Sequence, residues 1–273
     1  MSNIYSEITF IKKQKKKPYY DSSAITGMIP KLYFKTQNKK VLIRDARKLK
    51  NKNIDKEGFT LLKYKKSYDA TNIDTNLEEY KIELAAFLKN IINYKYINIF
   101  DLTKRSNSKE GASNADGPRQ PAARAHVDYT LNSGPKRAKK VIGKERFLWA
   151  KENKYRIFQL NVWRPLSKIV YSSPLAFADA RSINIKDLVA TDQIFPDRIG
   201  EIYHLSYNIN QVWYWVPEMK NNEILLLKGW DSINNKSIAK FTPHTSFNLA
   251  GQDIKIFPRE SIEARISNPI FIL

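Results

Sequence analysis

A β-rich α+β fold is predicted by three features of the sequence. From residue 155 onward, short apolar and aromatic stretches alternate with turn residues, the pattern of a sandwich, barrel or jelly roll. Before that point one segment has clear helical periodicity and the strand-like stretches are few. No glycine-rich phosphate loop of either common type is present, which argues against a dinucleotide-binding or P-loop enzyme. The length of 273 residues, with 42% hydrophobic and 12% aromatic content, supports a sizeable core in a single domain.

Taken in order, residues 1–30 read as a basic, irregular N-terminal arm, its charge concentrated in "IKKQKKKPYY". Residues 31–105 read as an α/β layer. Within it, "KLYFKTQNKKVLIRDARKL" suggests a hairpin turning near Gln37–Lys39, and "GFTLLKYKKS" a strand. Residues 76–92 place Leu77, Tyr80, Leu84, Phe87 and Leu88 at helical spacing, with Asn76 as a possible cap. "YINIFDLTKR" (96–105) closes the layer as a strand. Residues 106–125 are rich in Gly, Ser, Asn, Ala and Pro and read as a flexible loop, either a lid or an inert insertion. Residues 126–273 form the core, interrupted by a basic helical insertion at 134–154 that breaks near Gly143. Strands are expected at 155–166, 173–183, 201–208, 211–217, 223–232 and 260–273.

Composition narrows the chemistry. The absence of cysteine excludes disulfides, thiolate metal sites and a cysteine nucleophile. No apolar run is long enough to cross a membrane as a helix, and the N-terminus has no signal-peptide pattern, so a cytoplasmic location is expected. The net charge of +20 invites anionic partners, although the basic residues are spread along the chain. On charge alone, a basic nucleic-acid-binding or acidic-partner-binding protein on a β scaffold is the competing reading.

Only three histidines occur: His126, His204 and His244. The first lies in "RAHVDYT". Residues two apart on a strand share a face, so His126 and Asp128 could present an imidazole and a carboxylate to one ion. An imidazole from His244, in "FTPHTSF", would complete the two-histidine, one-carboxylate set of non-haem Fe(II) oxygenases. An HxD alone is a weak signal, and an ordinary surface turn is the alternative. Such an enzyme commonly uses 2-oxoglutarate, whose distal carboxylate suits a guanidinium and a hydroxyl. Arg259 and Ser261 share a face of the last strand and Arg265 falls on it too; an exposed ion pair with Glu260 or Glu263 is the other reading. Asn161, Trp163 and Arg164 in "LNVWRPL" either flank a cosubstrate or substrate or simply pack. Asp179 and Arg181 read as a structural ion pair. Tyr203 and His204 are candidates for structural or substrate contact. Trp213, Tyr214 and Trp215 read as core and rim.

The stretches "GFTLLKY", "IFDLTKR", "RAHVDYT", "NVWRPL", "SPLAFADARS", "EIYHLSYN", "ILLLKGWDS", "PHTSF" and "PRESIEAR" occur in this order. Together they resemble the cephem-methoxylase-related and fungal gibberellin-desaturase-like proteins. The likeness runs from about residue 40 to 270. It implies a double-stranded β-helix, a cupin-like jelly roll with flanking helices, and Fe(II), 2-oxoglutarate and O2 as cofactors. It implies His126, Asp128 and His244 as the metal ligands and Arg259 as the 2-oxoglutarate anchor. The expected reaction is hydroxylation, desaturation or cyclisation of a natural-product or amino-acid-derived small molecule, with an acidic carrier protein as a conceivable partner and nucleic acid not expected. A histidine usual in that family is replaced here by Leu102, which bears on substrate recognition.

Overall fold

A computed structural model describes residues 3–50, 52–66, 68–69, 72–92, 94, 96–250 and 258–270. The chain opens with β1 (Ile4–Ile11), β2 (Tyr19–Asp21), the short helix α1 (Ser23–Thr26), β3 (Lys31–Leu32), β4 (Thr36–Asp45) and β5 (Phe59–Lys63). Helix α2 (Leu77–Lys89), β6 (Asn98–Ser106), β7 (His126–Val127), α3 (Ser133–Ile142) and α4 (Lys144–Glu152) follow. The rest is β8 (Arg156–Pro165), β9 (Leu175–Ala178), β10 (Leu188–Ile194), β11 (Ile199–Leu205), β12 (Trp213–Trp215), β13 (Glu223–Asp231), β14 (His244–Ser246) and β15 (Glu260–Ile270).

Two sheets result. The larger runs β1-β4-β12-β9-β14-β7-β11-β10-β2-β3 and the smaller β5-β13-β8-β15-β6. From β12 onward successive strands alternate between the sheets, which is the winding of a jelly roll. Inner-face residues of both sheets interlock: Phe59 of β5 meets Phe177 of β9 edge-on at 4.5 Å, within a cluster that includes Trp163, Leu225 and Leu227. On the outer face of the smaller sheet, Phe158, Leu160, Val162, Ile262, Ala264 and Ile266 pack beneath Tyr80, Leu84 and Leu88 of α2.

Several expectations are corrected. Residues 1–30 are not an irregular arm. Ile8, Phe10 and Ile11 are buried and β1 pairs antiparallel with β4 along its whole length; the lysine-rich run sits just beyond, on the surface, at 12–17. Charge in that run dominates the local composition and hides the apolar residues before it. There is no hairpin turn near Gln37–Lys39, because β4 is continuous there and finds its partner in β1, with the Thr9 hydroxyl on Asn38 Oδ1 at 2.9 Å. A long-range partner overrides the local turn signal. Asn76 does not cap α2 through its side chain, which instead donates to the Asn72 carbonyl. The strand expected at 173–183 stops at Ala178, where Asp179 caps a 3-10 turn and pairs with Arg181 as anticipated. β10 and β14 were not anticipated as strands. The break at Gly143 (φ +90°), separating α3 from α4, is as expected. Trp213 and Trp215 are buried in the core. The last three residues of the strand expected at 260–273 lie outside the described residues.

Candidate metal and cosubstrate site

β7 is only two residues long, yet it lies between β14 and β11. Its register places His126 directly opposite His244 on one side and His204 on the other. Directly paired residues share a face, so the chain's three imidazoles form one row across three strands. Asp128, two residues on, faces the same side. Its Oδ1 lies 3.9 Å from His126 Nε2 and its Oδ2 4.0 Å from His244 Nε2. One ligand atom from each of these three residues lies within 4.8 Å of the others.

Neighbouring groups prepare these atoms. His126 Nδ1 donates to the Arg124 carbonyl at 2.7 Å, and His244 Nδ1 to the Thr242 carbonyl at 3.0 Å. A carbonyl only accepts, so each Nδ1 carries a hydrogen and each Nε2 is the ring atom left to face Asp128. Burial, reinforced by His244, pushes His126 down to about 3, so its imidazole is neutral. Burial alone would raise Asp128, but the Arg265 guanidinium, with the two histidines and an Asn161 hydrogen bond, holds it well below the usual carboxylate range. Two imidazoles and one carboxylate make the facial set that suits Fe(II).

The smaller sheet supplies the facing wall. Arg265 sits opposite Asn161 on β8 and Asp101 on β6. It reaches Asp101 at 2.8 Å, Glu263 at 3.0 Å and Asp128 at 3.4 Å, so its charge is committed. The exposed ion pair considered for Arg259 is absent. Arg259 is 1% exposed, over the Trp163 ring at 5.6 Å, with Nη1 on the Ser173 carbonyl at 3.0 Å. Among the described residues its Nε and Nη2 are buried without a hydrogen-bond partner, as are Ser261 Oγ and Asn161 Oδ1. Burial and then Arg105 push its guanidinium down to about 9. A buried cation with two idle donor nitrogens and an idle hydroxyl two residues along the same stretch of chain fits a carboxylate ligand.

A cavity of about 970 Å³ opens beside the triad, lined by His126, Asp128, Arg265 and His204 among others. This volume suits a small-molecule ligand. His204 is buried and neutral, its ring against Tyr20 and Phe34 at 5.6 and 5.0 Å. The other three substrate candidates are placed elsewhere. Trp163 is core. Arg164 lies on the outer face of its sheet, held by the Lys66 and Asn221 carbonyls and by the rings of Tyr64, Tyr68 and Tyr80. Adjacent residues of a strand point to opposite faces, which turns Arg164 away from the interior that Trp163 enters. Tyr203 packs on Phe241 and accepts from the Leu131 amide. Leu102 borders the cavity, but it packs with the cluster beneath α2 and alternates with Asp101 and Thr103, which face the other side of β6. Residues Ala112–Arg119 of the 106–125 loop close a small bridge, and the loop contributes Arg119, Gln120 and Arg124 to the wall. Sequence reasoning missed Tyr20, Arg105 and Arg124. Arg105 alternates with Thr103 and Asp101 along β6, a pattern that was there to be read.

A jelly roll with such a facial set defines the non-haem iron oxygenase class. A family described as an oxidoreductase/YMDC permease-like domain matches residues 8–267. No helix among the described residues is long and apolar enough to cross a membrane. The alpha-ketoglutarate-dependent dioxygenase tstK of Talaromyces stipitatus is 30% identical over 82% of this chain and 83% of its own length. The corresponding enzyme phiK of a fungal species is 27% identical over 83% and 82%. The solved structure of the iron and alpha-ketoglutarate-dependent endoperoxidase NvfI superposes with a TM-score of 0.83 over 99% of both chains, at 24% identity. This chain belongs to the Fe(II)/2-oxoglutarate-dependent dioxygenase and hydroxylase/desaturase family. It is an oxidoreductase with Fe(II), 2-oxoglutarate and O2 as its cofactors.

Proposed function

We propose that this protein hydroxylates or desaturates a small natural-product molecule bound in the cavity beside the triad. One observation carries the reading: the Nε2 atoms of His126 and His244 converge on the Asp128 carboxylate, and His126 and Asp128 line the cavity. His126, Asp128 and His244 would hold Fe(II), and Arg259 with Ser261 the distal carboxylate of 2-oxoglutarate. Iron bound with 2-oxoglutarate and O2 supplies an oxidant able to break a substrate C–H bond. The protein's own part is positional. Asn161 and Arg265 orient Asp128, the Arg124 and Thr242 carbonyls fix both imidazole tautomers, and the cavity wall shields the substrate from water. An acidic carrier protein delivering a tethered substrate would find Lys17, Lys136, Lys140 and Arg198 at this cavity; turnover stimulated by such a protein, and lost at high salt, would support it.

Anaerobic titration with Fe(II) and 2-oxoglutarate tests the assignment. A weak visible charge-transfer band is expected in wild type and is lost in His126→Ala. Arg259→Met should keep iron binding but weaken 2-oxoglutarate at least about tenfold. Wild-type affinity in that variant would overturn the anchor, and no band in folded wild-type protein would overturn the triad.

A further inference from the structure

The cavity is rich in cations, but most of them are already engaged. Arg119 pairs with Asp116, Arg198 with Asp197, Lys17 with Asp192 and Glu201, and Arg265 with three carboxylates. Arg124 differs. Among the described residues its guanidinium has no hydrogen bond and no ion pair, and its Nε is buried without a partner. It lies over the Tyr20 ring at 5.8 Å, and that ring meets His204 edge-on at 5.6 Å. His204 Nδ1 is also buried without a partner among the described residues, and His204 stands opposite His126 in the strand register. Neighbouring strands are about 4.8 Å apart, so this corner lies roughly one strand from the metal-ligand row. Met28, Ile29 and Phe195 add apolar surface to the same cavity. An uncompensated, largely desolvated guanidinium is costly unless something neutralises it, and a carboxylate matches its fork.

We propose that the substrate is an amphipathic carboxylic acid, and that Arg124, stacked on Tyr20 beside His204, receives its carboxylate. The bound acid thereby presents its apolar part to the oxidising centre. This deepens the oxygenase reading and rests on the cavity being the substrate site. Arg259 serves the cosubstrate from the other sheet, so the two carboxylates are held by separate arginines.

The test is calorimetric titration of the anaerobic Fe(II)/2-oxoglutarate-loaded protein with decanoic, cinnamic and abietic acids, each beside its methyl ester. At least one acid should bind about tenfold or more tighter than its ester. Arg124→Met should bring that acid to the ester's affinity while leaving the ester and the charge-transfer band unchanged. Arg124→Lys should restore part of the preference and serves as the second variant if the methionine form does not fold. The proposal is overturned if no acid is preferred, if the preference survives Arg124→Met, or if that variant loses 2-oxoglutarate instead. Absence of the band in wild type would strike at the oxygenase reading alone, because the same acid and ester titration on metal-free protein still tests Arg124.

Discussion

Asp128 stays ionised between two imidazoles because Asn161 and Arg265 reach it from the opposite sheet. Replacing Asn161 with Leu keeps the volume and removes the donor. Fe(II) affinity is expected to fall about 10- to 100-fold, measured by competition with a chromophoric chelator, while the thermal transition moves little. Unchanged affinity would mean that Arg265 alone orients the carboxylate. The triad was legible because HxD and strand periodicity are local facts. The division of labour among Arg105, Arg124, Arg259 and Arg265 was not, since it depends on which carboxylates the fold brings near. Arg265 looked equivalent to Arg259 on one strand face, yet register spends its charge on Asp101, Glu263 and Asp128.

At the scale of elements, α3 forms part of the cavity wall through Ser133, Lys136, Arg137 and Lys140. It sits close to β13 because Gly134 has no side chain: a Cβ there would overlap the Trp230 indole. Gly134→Ala should therefore destabilise the protein by about 1–3 kcal/mol in urea melts and weaken binding of any cavity ligand. Stability within experimental error of wild type would show that Trp230 repacks freely. The first strand makes a second case. Removing residues 1–11 would leave β4 as an unpaired sheet edge, held only by β12, and uncover Ile43 and Trp213, so the truncated chain should be recovered largely insoluble. A charge-rich segment conceals a strand from composition, and only the pairing with β4 reveals it. The two halves of the helical insertion were legible because a glycine with positive φ leaves a local mark.

Across the whole molecule, buried and half-buried ion pairs tie the sheets to the loops. Burial would raise Glu223, but hydrogen bonds from Arg47, the Lys220 amide and Lys63 hold it at about 2. Asp55 is likewise held at about 2, where burial is opposed by Arg156 and Lys228. Both folded values lie below the unfolded ones, so each pair contributes stability that is complete above about pH 4.5 and is lost as pH falls toward 2. For Glu223, 1% exposed, this amounts to about 3 kcal/mol. Thermal melts between pH 7 and pH 2 should decline through that window, and Glu223→Gln should flatten part of the decline while lowering stability at neutral pH. The row of histidines has a different consequence. Every imidazole in the chain belongs to one sheet face within two strand spacings, so the histidine ring signals of a proton spectrum form a private channel to this centre. A paramagnetic ion bound there would broaden all of them together, leaving no distant ring as a bystander, and would make occupancy readable without a label.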